Sequence, residues 1–176
     1  AAGNYTLTQP TGLTANITAK ALTVTGTTVA NKVYDATTTA TVSGGTLVGV
    51  VAGDTVALTQ AGSFSQANVG TGLAVTIADT LTNNSLGNYT LTQPTGFTAN
   101  ITAAPLTISG AVISNKAYDG TNVASFSAGT LNGVVSADSA NVTLTQVATF
   151  SQINAGNNLA VTVANVLSGS AAGNYT

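Results

Sequence analysis

The side chains that could carry acid–base, nucleophilic or metal chemistry are few: five Asp, three Lys and five Tyr, with no Cys, His, Met, Trp, Arg or Glu. Two short motifs gather most of them. Lys32-Val33-Tyr34-Asp35 returns as Lys116-Ala117-Tyr118-Asp119, and Gly-Asn-Tyr-Thr stands at Gly3–Thr6, Gly87–Thr90 and Gly173–Thr176. Tyrosine beside aspartate makes a rigid recognition surface where it is exposed. The plainer assignment puts Tyr34 and Tyr118 in the core, while Asp35 and Asp119 fix a turn through their own backbone. Tyr5, Tyr89 (after Asn88) and Tyr175 are assigned to a repeated structural corner, each hydroxyl satisfying a buried backbone group. A lysine this close to an acid also admits an amide crosslink to an asparagine. Without His, Cys, Glu or Arg, proton transfer falls to Asp, Lys and Tyr alone, so no enzyme activity and no cofactor are expected. Calcium takes about 6–8 oxygen ligands, usually with several carboxylates. The aspartates at 35, 54, 79, 119 and 138 are scattered, so no metal site is expected.

What positions these residues is a repeat. Gly3–Thr18, GNYTLTQPTGLTANIT, returns at Gly87–Thr102 with one change, Leu13 to Phe97, 84 residues along the chain. Asp54 pairs with Asp138 at the same spacing, but Phe64-Ser65-Gln66 pairs with Phe150-Ser151-Gln152 at 86, which places a two-residue insertion within 139–141. The chain divides into 1–19, the C-terminal segment of a preceding repeat; 20–103, a complete repeat; and 104–176, a repeat lacking its C-terminal segment. Since Ala1–Thr6 and Ala171–Thr176 both read AAGNYT, the natural protein is expected to continue on both sides. Only Ala103-Ala104-Pro105 separates the repeats, and proline confines its predecessor to extended geometry. A semi-rigid row is expected, not beads on a flexible string.

Within each repeat the period is two. Leu73, Val75, Ile77 and Leu81 share one parity with Asp79, and Ala74, Thr76, Ala78 and Thr80 share the other, the mark of a half-buried strand. Shorter runs at 22–24, 56–58, 106–108 and 142–144 follow the same rule. Gly44-Gly45, Val69-Gly70, Ala128-Gly129 and Asn132-Gly133 read as turns. The expected fold is all-β: tandem small β-sandwich (Ig-like) repeats of about 84 residues, arranged as a rod or filament. β-Grasp-like repeats are the alternative. A unit this small buries only about 60–65 % of its unfolded surface, so packing against neighbours is expected to complete it.

Charged residues make up 5 % of the chain, against about 25 % in ordinary domains, so hydroxyls and amides must supply solubility. A net charge of −2 with three lysines leaves no basic stripe for nucleic acid. No apolar run reaches the roughly 20 residues of a membrane span. The lack of cysteine suits a secreted bacterial protein indifferent to redox conditions.

Lys-x-Tyr-Asp-(Gly/Ala)-Thr at Lys32–Thr37 and Lys116–Thr121, Val-Gly-x-Gly-Leu-Ala-Val-Thr at Val69–Thr76, and Gly-Asn-Tyr-Thr at Gly87–Thr90 resemble the YDG-type repeats of large bacterial surface proteins. With the related MBG-type repeats, these look like stalk modules of filamentous-haemagglutinin-like adhesins, a family that brings no catalytic residues. Ala36 departs from the name-giving glycine kept at Gly120, which argues against an obligatory positive φ there. The resemblance implies a structural stalk or fibre segment of an extracellular adhesin or matrix filament at the bacterial surface. Its expected partners are neighbouring copies of the repeat, joined head-to-tail by strand complementation. The alternative is a multivalent binding module for glycans or a host or partner surface.

Overall fold

The computed structural model describes residues 2–84 and 86–176. In the first repeat the alternating, β-branched segments give β1 (Lys20–Thr25), β2 (Thr28–Val29), β3 (Lys32–Val33), β4 (Thr39–Ala40), β5 (Val42–Ser43) and β6 (Thr46–Val48). They continue as β7 (Ala57–Thr59), β8 (Gly62–Phe64), β9 (Gly70–Ile77), β10 (Thr80–Thr82), β11 (Tyr89–Leu91) and β12 (Phe97–Thr102). The second repeat carries β13 (Thr107–Ser109), β14 (Val112–Ile113), β15 (Phe126–Ser127), β16 (Thr130–Asn132), β17 (Thr143–Phe150) and β18 (Val161–Ser168). Single 3-10 turns stand at Ala2–Asn4, Ser136–Asp138 and Ala172–Asn174, and no α-helix occurs among the described residues. The chain is all-β, in tandem repeats.

Two mixed sheets organise the first repeat. One has the order β11-β1-β6, with β1 parallel to β11 and antiparallel to β6. The other has the order β3-β12-β9-β8-β4, with β12 parallel to β3 and antiparallel to β9. The opening and closing strands of the repeat are thus interior strands of their sheets. A repeat cannot complete its hydrogen bonding until its last segment has arrived.

Local chemistry explains the departures from simple alternation. The Leu73–Leu81 run is split between β9 and β10, because buried Asp79 turns inward at the break. Its Oδ1 accepts the Ala61 N–H at 3.0 Å, while its own N–H and C=O are taken by the Gln93 amide at 2.9 and 2.7 Å. Gly44 holds φ 77° where an added Cβ would stand 2.6 Å from the Gly26 carbonyl oxygen, so that turn requires glycine. Gly70, in contrast, opens β9 instead of making a turn.

The core does not stop at the seam. Tyr34, Phe64, Val75, Ile77 and Ile101 of the first repeat form one apolar cluster with Ala104, Val142, Ala171 and Tyr175 of the second. Each small unit therefore gains burial from its neighbour, which supplies what a unit of this size lacks.

The duplicated segment takes two different states. In the first repeat it is β11 and β12, with Tyr89 6 % and Ile101 1 % exposed; in residues 5–19 it forms no strand, and Tyr5 and Ile17 are 83 % and 104 % exposed. The second repeat shows the reverse effect. Residues 116–117 and 156–160, the counterparts of β3 and the start of β9, lie outside any strand. In the first repeat both of those stretches pair with β12.

Candidate functional site

The Lys-x-Tyr-Asp motif builds a clamp. Lys32 Nζ donates to Asp35 Oδ1 at 2.6 Å, to the Thr37 carbonyl at 2.7 Å, to Thr37 Oγ1 at 3.0 Å and to the Thr39 carbonyl at 3.2 Å. Asp35 Oδ1 also accepts the Thr37 N–H at 2.9 Å. Lys116 repeats the arrangement on Asp119, Thr121 and Val123 at 2.7 to 3.0 Å. The ammonium beside each aspartate holds its carboxyl below the usual range, to about 2 for Asp119. None of the lysine's partners is an asparagine side chain, so the geometry is an ion pair closing a turn and not an amide crosslink. The turn needs a left-handed residue in both copies: φ is 62° at Ala36 and 77° at Gly120. The alanine substitution has therefore not relaxed the backbone, contrary to the expectation from its sequence; the clamp on either side holds it there.

The clamp aims the tyrosine between its two charged residues at the next repeat. Tyr34 is buried, and its hydroxyl donates to Asp138 Oδ2 at 2.7 Å. Tyr175 donates to the same oxygen at 2.7 Å, and its hydroxyl accepts the Val135 N–H at 3.1 Å. The two rings meet edge-to-face with centroids 5.4 Å apart. Alongside, Asn174 Oδ1 accepts the Val69 N–H at 3.0 Å and its Nδ2 donates to Asn68 Oδ1 at 3.1 Å. Burial, and then the Asp138 carboxylate, push the Tyr34 hydroxyl up to about 12; the same causes raise Tyr175. This is a polar joint sealed inside the shared core, and proton transfer at neutral pH is not what it is set for.

Each repeat carries both halves of the joint. Tyr89 donates to Asp54 and accepts the Val51 N–H at 3.1 Å, as Tyr175 does with Asp138 and Val135. Its hydroxyl is raised, chiefly by that bond to Asp54. Asn88, the counterpart of Asn174, is exposed. Tyr118, assigned to the core from the sequence, is 68 % exposed and makes no joint like that of Tyr34; Tyr5 is likewise in solvent and makes no corner. The structure thus brings Tyr34 together with the Gly-Asn-Tyr corner of the second repeat through Asp138, a residue not singled out as a site. The signal for it was the recurrence of Asp54 and Asp138 at one place in the period. Asn68 offered no such signal. Among the described residues, no group of three or more acidic side chains converges as a metal site would require.

Comparison with known families gives one match. The model described as YDG domain matches residues 18–96 and again 102–176. Neither the curated proteins nor the solved structures yield a match.

Proposed function

Because the chain belongs to the YDG domain family, in two tandem copies, we propose that it is a length-giving segment of a repetitive bacterial surface protein: a stalk or fibre of an adhesin or extracellular matrix filament. One observation carries the reading. Two repeats share a continuous core with a buried tyrosine–aspartate–tyrosine joint, and no flexible linker intervenes. A joint of that kind fixes the angle between neighbours, and a fixed angle repeated many times gives reach. The side chains support the same view: Lys32 and Lys116 close turns, the buried Asp79 and Asp138 accept structural hydrogen bonds, and no reaction on a substrate is assigned to any of them. The test is small-angle scattering on chains with increasing numbers of repeats. The maximum dimension is expected to rise by a constant step per repeat; a dimension that levels off, or repeats that tumble independently, would reject the stalk.

A further inference from the structure

Among the described residues, three buried side-chain atoms have no hydrogen-bond partner: Thr27 Oγ1, Gln60 Nε2 and Asp79 Oδ2, all in the first repeat. Buried polar groups are nearly always paired, so three in one small unit need a cause. They share one neighbourhood. Thr27 lies between β1 and β2, and Gln60 between β7 and β8. The Gln60 amide packs on Gly45: its Oε1 accepts the Gly45 N–H at 3.0 Å, and a Cβ on Gly45 would stand 2.4 Å from its Nε2 and 2.9 Å from its Cδ. Asp79 reaches the same residue, because its Oδ1 takes the N–H of Ala61, the next peptide along from Gln60. The second repeat shows where Thr27 belongs. There the counterparts of Thr27, Gly45, Gln60 and Asp79 are Ala111, Gly129, Gln146 and Asn165, and Ala111 Cβ is 3.5 Å from where a Cβ on Gly129 would stand. In that repeat the amide is satisfied: Gln146 Oε1 accepts the Gly129 N–H at 2.7 Å, and its Nε2 donates to Asn165 Oδ1 at 2.7 Å. The glutamine is common to both repeats, whereas the hydroxyl and the carboxylate occur together in the first and are replaced together in the second.

We propose that Thr27 and Gln60 join as an ester inside the first repeat, with Asp79 as the base. Asp79 Oδ2 takes the Thr27 hydroxyl proton as Oγ1 attacks Gln60 Cδ. Negative charge gathers on Gln60 Oε1, where the Gly45 N–H already points. The bond from Cδ to nitrogen then breaks, Asp79 hands the proton to the departing nitrogen, and ammonia leaves. An O–H and a C–N bond are exchanged for a C–O and an N–H bond, and Asp79 returns to its carboxylate, so neither an oxidant nor a second reactant is needed. The step happens once per chain and eliminates both unpaired donors. It ties the end of β1, in the β11-β1-β6 sheet, to the start of β8, in the β3-β12-β9-β8-β4 sheet. The crosslink holds whether or not the repeats build a stalk.

The intact mass of the denatured chain tests this. It is expected to fall below the sequence mass by one ammonia and not by two, since Ala111 offers no hydroxyl and Asn165 no carboxylate. Thr27→Ala and Asp79→Asn copy residues with which the second repeat already folds, and each is expected to restore the full mass. Ala111→Thr combined with Asn165→Asp is expected to release a second ammonia. Cleavage of the denatured chain after its lysines puts Thr27 in the peptide 21–32 and Gln60 in the peptide 33–116. The two are expected as one joined species, parted by mild hydroxylamine, which cleaves esters. A wild-type chain of full mass overturns the proposal. So does a loss of ammonia that leaves the two peptides separate. Joining that persists in Asp79→Asn overturns the role given to the carboxylate. None of these results touches the stalk reading, which is tested by scattering.

Discussion

Ala36 holds a backbone conformation that costs an L-residue about 1–2 kcal/mol. Nothing near the equivalent Gly120 would obstruct a Cβ, so the cost at Ala36 is one of backbone alone. Ala36→Gly is expected to stabilise the protein by up to about 1 kcal/mol once glycine's extra chain entropy is deducted, and Gly120→Ala to destabilise it by a similar amount, as read from denaturant unfolding. The charged residues beside it set a pH dependence. Asp119 and Asp35 are lowered on folding, so they contribute above the unfolded carboxylate value of about 4 and lose that contribution as pH falls through the folded value, about 2 for Asp119. The unfolding temperature is expected to hold down to about pH 4.5 and to fall toward pH 2, less steeply in the Asp35→Asn, Asp119→Asn double variant. Tyr34 acts in the opposite sense. Its hydroxyl is raised to about 12, so its contribution is full below about pH 10 and is lost between there and the folded value. Tyr34→Phe should reduce the alkaline loss in a plot of unfolding temperature against pH, leaving the part that the raised Tyr175 and Tyr89 hydroxyls contribute.

At the scale of the strand, Ile101 and Ile17 form a controlled pair, since they occupy the same place in a duplicated sequence. Ile101 is 1 % exposed in β12, and Ile101→Ala is expected to cost about 2–5 kcal/mol. Ile17→Ala in the dilute monomer is expected to fall within about 0.5 kcal/mol of zero in the same denaturant titration. The pair also measures what the sequence can disclose. Alternation identified where strands can form, including the cores of β1, β7, β9 and β17, because the period of two is a local property. It could not say whether LTANIT is a strand, because that depends on a partner more than about 20 residues away: β12 needs β9, with Phe97 opposite Val75. Asp79 was legible as a polar residue on an apolar parity, but the break it makes depends on Gln93, which no periodicity marks. The clamp was legible in outline, since Lys, Asp and Thr lie within six residues at Lys32–Thr37. The destination of Tyr34 was not: its partner Asp138 is 104 residues away, in another repeat.

For the molecule as a whole, the joint decides whether two repeats behave as one. Asp138 is the acceptor for two buried hydroxyls, and removing it leaves both O–H donors without an acceptor, at about 1–3 kcal/mol each. Asp138→Ala is therefore expected to lower the stability of the second repeat and to divide a single calorimetric transition into two, whereas Asp54→Ala, at the exposed front, should leave the coupling intact. The clamps have a consequence of another kind. Trypsin-like proteases read arginine and lysine, and this chain offers them Lys20, Lys32 and Lys116 in 176 residues. Two of those three ammonium groups are already enclosed by a carboxylate and two backbone carbonyls, withdrawn from any specificity pocket. The remaining one, Lys20, begins β1, at the boundary between unpaired chain and folded repeat. Digestion is expected to nick the chain there and spare the repeats, so that resistance to such proteases follows from where the lysines are spent.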